Sequence, residues 1–506
     1  MANPILPLWE CIPDGEPRQF GDRVYLYGSH DRYGFGNFCD YKLKCWSAPV
    51  NDLNNWVCHG HIFQTRPDSD HESSVPHTDR ELYAPDVVEK DGKYYLYTYI
   101  ADSKGCVSVS DRPEGPFKFL STYEYAPEDA GDDGIYNDPG VLVDIIGDEA
   151  GENGKKCRVY IYYGFEGSNM NELDPDTMYR VLPGSLKKHV IDDRREVHPE
   201  RRFYEASSPR KIGDTYYVIY SPRKGSRLAY ATSDSPVGPF TYRGYIIDNG
   251  VDYPAGNNHG SLCRIGEQWY VFYHRMTNNT MFSRRACVEK VNILPDGTIP
   301  PVEMTSLGFE DSLNPYKPVK AEIACILTGG CFVTEKDLFR RVVTQISEGC
   351  VIGYKYFDFG EDDSTKTMEL AVKISGMGCR GKLHVMIDGT EVNGEGSTIV
   401  ESSSETSGAA GETTSVELKN AAVSTDPEEV PETVPYDSVG KKLPGTEIGV
   451  VELGLGDGIY RARVKNVTGR HALYFKADLG LEKGTWPSSF FNGRVICELE
   501  EFVFMK

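Results

Sequence analysis

A chain of 506 residues is too long for one compact core, so two or three domains are expected. Its 54 basic and 76 acidic residues give a net charge of −22, which repels nucleic acid and anionic membranes and suits a neutral substrate such as a sugar. Thirteen cysteines without CxxC spacing, no basic stretch and apolar core in MANPILPLWE, and no apolar run of membrane-spanning length point to a cytoplasmic protein with reduced thiols.

Five aromatic-rich strand signatures run through the first 275 residues: GDRVYLYG (21–28), DGKYYLYTY (91–99), KKCRVYIYYG (155–164), GDTYYVIYS (213–221) and GEQWYVFYH (266–274). Each pairs a polar or Gly turn with an apolar run carrying an equivalent tyrosine: Tyr25, Tyr95, Tyr160, Tyr217 and Tyr270. Such self-similarity marks a repeat architecture, and all-β content with turn punctuation favours a propeller with one small antiparallel sheet per repeat. The echo of SDRPEGPFKFLS (110–121) in SDSPVGPFTYRG (233–244) supports the repeat, and LPDGTIPPV (294–302) is expected to be the strand that closes the ring. The first domain therefore spans residues 1–302.

From Glu303 the character changes. Alternating runs beginning in VKAEIACIL (319–327), VIGYKYFDFG (351–360), KLHVMIDGTEV (382–392), GIYRARVKNV (458–467), RHALYFKADL (470–479) and VICELEEFVFMK (495–506) predict a β-sandwich of jelly-roll type over 303–506. Residues 393–440, rich in Ser, Thr, Glu, Gly and Pro, predict a mobile acidic insertion.

Acidic residues near the strand signatures carry the candidate chemistry. IPDGEPR offers Asp14, YNDPGVLVD offers Asp138, FYEASSPRK offers Glu205, LYAPDVVEKDG offers Asp86 and GNNHGSLCRIG offers His259. Singly, an Asp-Pro or Asp-Gly pair is a turn whose side chain bonds its own backbone. Glu205, between Tyr and Ala in a β-run, is a shielded carboxylate, and such groups are costly unless they serve a function. In a propeller the first strand of every blade lines the axis, so all five side chains would face one funnel.

The arrangement resembles glycoside hydrolase family 43 over residues 3–302. That resemblance implies a five-bladed β-propeller that hydrolyses xylose- and arabinose-containing glycosides with inversion. It also implies Asp14 as general base, Asp138 as tuner of acidity and orientation, and Glu205 as general acid, with neighbouring Glu16 the substitute for Asp14. His259 corresponds to an axial histidine beside a bound calcium ion or its waters, and no organic cofactor is expected. Inversion needs an acid and a base about 6.5–9.5 Å apart with water between them. Trp9 and Phe35 are candidate walls of the sugar pocket, Asp86 a further contact, and Arg275 a guide for a sugar hydroxyl or Glu205. The later region resembles a family 6 carbohydrate-binding module, with Tyr354 and Trp486 as possible stacking residues; a role bracing the propeller is the favoured reading. The leading expectation is an exo-acting β-xylosidase or α-L-arabinofuranosidase on xylo- and arabino-oligosaccharides. The alternatives are a retaining fructosidase-like propeller and a non-catalytic sugar-binding one.

Overall fold

The computed structural model describes residues 2–131, 136–151, 154–337, 339–362, 367–387, 445–480 and 493–506. The chain is all-β, with two short 3-10 turns as the helical elements among the described residues. Four consecutive four-stranded antiparallel sheets come first. They comprise β1 (Glu16–Phe20), β2 (Arg23–Gly28), β3 (Lys42–Pro49) and β4 (Val57–Gln64); then β5 (Leu82–Lys90), β6 (Lys93–Ile100), β7 (Cys106–Ser110) and β8 (Lys118–Thr122). The third sheet contains β9 (Gly140–Gly151), β10 (Gly154–Tyr163), β11 (Asn169–Leu173) and β12 (Lys187–Lys188), and the fourth contains β13 (Phe203–Ile212), β14 (Thr215–Pro222), β15 (Arg227–Ser233) and β16 (Thr241–Asp248). A three-stranded sheet of β17 (Ser261–Ile265), β18 (Gln268–Met276) and β19 (Arg284–Val291) follows.

The five tyrosines of the sequence repeat all fall on the second strand of a sheet, and that strand is buried on both faces. In β2, Val24 and Leu26 pack against Tyr270 and Phe272 of the fifth sheet, while Tyr25 and Tyr27 pack against Val87 and Leu96 of the second. In β10, Val159 and Ile161 join Tyr97 and Val107, whereas Tyr160 and Tyr162 join Val218 and Tyr220. In β14, Tyr217 and Ile219 turn toward Val271 and Tyr273. The period-2 alternation of a strand thus feeds a core on each side, which is why these segments read as continuous apolar runs. Each fully buried Val, Leu or Phe contributes roughly 1.5–3 kcal/mol.

The Gly-Pro-Phe echo has a matching structural role. Gly115 and Gly238 both adopt a left-handed φ, of 73° and 74°. The following Phe117 and Phe240 are buried and donate their N–H groups to the carbonyls of Ile62 in β4 and Val190 just after β12, at 2.9 and 2.7 Å.

A buried polar network ties the first strands of all five sheets together. Arg18 of β1 grips Asp86 of β5 at 2.7–3.1 Å, and Asp86 also accepts the N–H of Val141 in β9 at 2.7 Å. On the other side, Glu16 of β1 accepts Arg210 and Ser208 of β13 and Ser261 of β17.

Two further sheets follow. One joins β20 (Val319–Lys320), β22 (Phe332–Glu335), β23 (Arg341–Ile346), β25 (Thr367–Gly376), β28 (Gly458–Lys465) and β30 (Cys497–Met505). The other runs β21 (Ile326–Leu327), β24 (Val351–Asp358), β29 (Arg470–Asp478), β26 (Gly381–Ile387) and β27 (Thr446–Leu453). Their inward residues meet in one core, with the Tyr354 and Phe475 rings 4.9 and 5.0 Å from Phe502, and that core is continuous with the one between the fourth and fifth sheets.

Two expectations are corrected here. Residues 294–302 form no strand, because Pro295, Pro300 and Pro301 lack N–H donors; the segment lies on the fourth sheet, where Ile299 N–H reaches Tyr230 Oη at 2.9 Å and Val302 N–H reaches the Ile246 carbonyl at 2.6 Å. Tyr354 cannot stack on sugar: it is fully buried and donates its hydroxyl to the Ala321 carbonyl at 3.0 Å. Trp486 and the 393–440 insertion lie outside the described residues.

Candidate active site

Asp14 occupies the bend before β1 with φ 55°, Asp138 the turn before β9 with φ 46°, and Glu205 lies in β13 between two register shifts, next to Ala206 with φ 70°. Bulges of this kind re-aim a side chain out of the ladder. Gly140 permits the approach of the Asp138 turn to β13, since a Cβ there would stand 2.1 Å from the Ser207 carbonyl oxygen. The three carboxyl groups come together. His259 Nδ1 lies 3.7 Å from Asp14 Oδ1 and 3.9 Å from Asp138 Oδ2, while Asp138 sits in the field of both Glu205 and Asp14 and accepts the Ala206 N–H.

Their environments push the carboxyls in different directions. Burial would raise Asp14, but the Arg284 guanidinium, 2.8 Å from its Oδ1, outweighs it and holds the carboxyl below its usual range. Glu205 is pushed up to about 7 by burial and by the Asp14 charge. Asp138 is raised well above its ordinary value by burial and by Glu205. Like charges this close resist joint ionisation, so Asp138 and Glu205 titrate as a pair that keeps a proton. The site therefore combines one carboxylate able to take a proton with a neighbouring pair able to give one.

Two groups absent from the sequence expectations organise Asp14. Arg284 binds Asp31 in a fork, at 2.9 and 2.8 Å, while its third nitrogen reaches Asp14; the Phe38 ring lies 4.8 Å from the guanidinium carbon. His274 accepts the Asp14 N–H on Nδ1 at 3.4 Å, and its Nε2 donates to the Asn257 carbonyl at 3.0 Å. Burial and Arg284 lower His274 to about 3, so it stays neutral.

Several expected contacts lie elsewhere. Arg275 does not reach the sugar site. It is 1% exposed and donates to the Tyr273 hydroxyl and Thr305 carbonyl at 2.5 Å, beside Glu289 at 3.3 Å. The cause is strand alternation: His274, Met276 and Arg284 share the face toward Asp14, and Arg275 and Arg285 share the opposite face. Asp86 is likewise no substrate contact, because it is 1% exposed and its oxygens are taken by Arg18 and Val141. Glu16 cannot stand in for Asp14, being locked by Arg210, Ser208 and Ser261. Trp9 and Phe35 are open to solvent at 58% and 55% exposure; Trp9 lies against Trp46, and Phe35 lies under Arg32 at 4.4 Å. Tyr204, immediately before Glu205, and Phe165 of the loop after β10, with ring centroids 4.8 Å apart, are aromatic groups absent from the sequence expectations.

Two buried amide oxygens immediately precede His259 in sequence. The Oδ1 atoms of Asn257 and Asn258 lack a hydrogen-bond partner among the described residues, and oxygen donors of this kind suit a hard cation.

This set of buried carboxyls on an all-β frame accompanies a sequence match to glycosyl hydrolases family 43 over residues 1–299. The chain belongs to that family and is a glycosidase acting on O-glycosyl bonds. A xylosidase/arabinosidase of Thermoclostridium stercorarium is 38% identical over 444 residues, spanning 78% of this chain and 88% of the relative. A beta-xylosidase of Xylanibacter ruminicola is 28% identical, over 58% of this chain and 97% of its own length. A crystal structure of a family 43 beta-xylosidase/alpha-arabinofuranosidase from a compost microbial metagenome, in complex with xylotriose, matches with a TM-score of 0.48 and 26% identity, covering 60% of this chain and 97% of that one.

Proposed function

We propose that this glycosidase is an inverting, exo-acting enzyme that releases α-L-arabinofuranosyl or β-D-xylosyl residues from hemicellulose-derived oligosaccharides. The observation that carries the reading is the split among three gathered carboxyls: Asp14 is held ionised by Arg284, while Asp138 and Glu205 retain a proton. Asp14 is the general base that takes a proton from water, Glu205 the general acid that protonates the leaving oxygen, and Asp138 the neighbour that tunes acidity and orientation. The names of the relatives, xylosidase/arabinosidase and beta-xylosidase, support the choice of sugars.

The same proposal takes residues 1–302 as a five-bladed propeller, supported by five successive sheets whose first strands share one buried network. It takes residues 303–506 as a jelly-roll sandwich that braces the catalytic domain. Bracing is supported by Glu335, which receives Arg285 and lies 3.2 Å from Arg341, and by Arg341 donating to the Leu8 carbonyl at 3.0 Å. Calcium beside His259 belongs to the proposal too: Asn257 and Asn258 would supply oxygen donors, and the ion would supply positive charge near Asp14. Thirteen free thiols support a reducing, cytoplasmic setting.

The test uses two leaving groups. Glu205→Ala is expected to lose far more rate on a natural disaccharide than on an aryl glycoside with an acidic phenol, whereas Asp14→Ala abolishes both alike. Equal losses for Glu205→Ala on both substrates would remove it from the acid role. Retention of configuration in the product, read by NMR, would overturn inversion.

A further inference from the structure

Away from the carboxyl cluster, the first sheet carries a second group of metal-binding side chains. His61 lies on β4, and Asp68 and His71 lie on the segment that follows it; one ligand atom from each falls within 4.8 Å of the other two. The two imidazole rings meet edge to face, with centroids 5.9 Å apart. Asp68 is held in place from several sides. Its Oδ1 accepts the N–H groups of Asp70 and His71 at 2.9 and 2.8 Å and lies 3.1 Å from His71 Nδ1. Its Oδ2 receives the Lys42 ammonium at 2.6 Å. Neither ring nitrogen of His61 has a hydrogen-bond partner among the described residues.

We propose that His61, Asp68 and His71 form a binding site for a borderline divalent transition cation such as zinc. Two imidazoles and a carboxylate are the donor set of a three-ligand zinc centre whose fourth position is left to water. The Lys42 ammonium shares the Asp68 carboxylate, so its positive charge opposes a dication bound there. The bound ion would tie β4 to the segment that leads to Glu81. Glu81 accepts the Tyr41 hydroxyl at 2.9 Å and lies 3.7 Å from Arg32, whose guanidinium lies over the Phe35 ring. The cation would therefore fasten one flank of the loop that carries Asp31 and Phe38, without touching the reacting groups.

The experiment is a titration of the full-length protein with cobalt(II), in excess calcium, following the visible absorption of a low-coordinate cobalt centre. Wild type is expected to show a saturable one-to-one signal that zinc abolishes. His61→Ala and His71→Ala should lose the signal while keeping glycosidase activity, which shows that they fold. Lys42→Met should bind about tenfold more tightly, because a neighbouring positive charge has been removed. Cys58→Ser, which removes the exposed thiol on the same strand, should leave the titration unchanged. Three outcomes would overturn the proposal: a signal that survives in both histidine variants, a sulfur charge-transfer band lost in Cys58→Ser, or unchanged or weaker binding in Lys42→Met.

Discussion

Asp138→Asn tests which charge raises Glu205. Asparagine keeps an oxygen for the Ala206 N–H but cannot ionise beside Glu205. In the wild type Glu205 titrates at about 7, so about half of it is protonated at pH 7. A general acid works only when protonated, and activity is lost as pH rises through its pKa. Glu205 is raised by burial and by the Asp14 charge, while Asp138 beside it stays protonated, so an uncharged amide in place of an uncharged acid leaves the Glu205 pKa near 7. The ratio of kcat/KM at pH 7 to that at pH 5 should then stay near its wild-type value of about one half on a natural disaccharide, whatever the loss in absolute rate. The assay is the pH profile of kcat/KM from pH 4 to 9 on that disaccharide. A high-pH limb that moves down by about one unit in the variant would refute the account, because Asp138 and not Asp14 would then be the charge that raises Glu205.

The same raised acid has a stability signature. Because Glu205 binds its proton more tightly folded than its ordinary value of 4.5 allows unfolded, the native state loses stability as pH rises from about 4.5 to 7, by up to about 3 kcal/mol. Glu205→Gln should therefore melt higher than wild type at pH 8 and about the same at pH 4, in paired thermal scans. Arg284→Gln leaves Asp14 and Asp31 buried without their cation, which should cost about 3–5 kcal/mol and shift the low-pH limb of activity upward, because Asp14 then protonates more readily. Arg275→Met should also lower the melting temperature, but the kcat/KM of the folded fraction should match wild type, since Arg275 faces Glu289 and Thr305. Chelation followed by calcium addition should give a saturable rise in melting temperature in wild type and none in His259→Ala; equal responses would move the ion away from His259.

The repeat was legible because one kind of strand recurs: the Tyr25, Tyr95, Tyr160, Tyr217 and Tyr270 segments are each the second strand of a sheet covered on both sides. The first strands were harder to see, since β1 and β17 are short and carry polar residues such as Glu16, Arg18 and Ser261 for the buried network. Asp14, Asp138 and Glu205 stood out by their turns and by a carboxyl inside a strand. Arg284 and His274 did not, because a linear sequence does not show which face of β18 or β19 meets Asp14. The reading chose Arg275, one residue from His274 and hence on the opposite face. Asp86 resembled its acidic neighbours until the fold supplied Arg18. β22, β23, β25 and β27 were missed, although β22 and β23 form the hairpin that carries Glu335 and Arg341 toward Leu8.

The apolar core between the fourth and fifth sheets runs without interruption into the pair that follows, and Leu327 N–H meets the Asp252 carbonyl across the junction at 2.7 Å. A cut after residue 302 would thus leave Tyr253, Ile299 and their neighbours facing solvent instead of Ala324 and Leu327. The two halves should melt together in a single calorimetric peak, and the N-terminal fragment made alone should aggregate rather than persist as a smaller active enzyme.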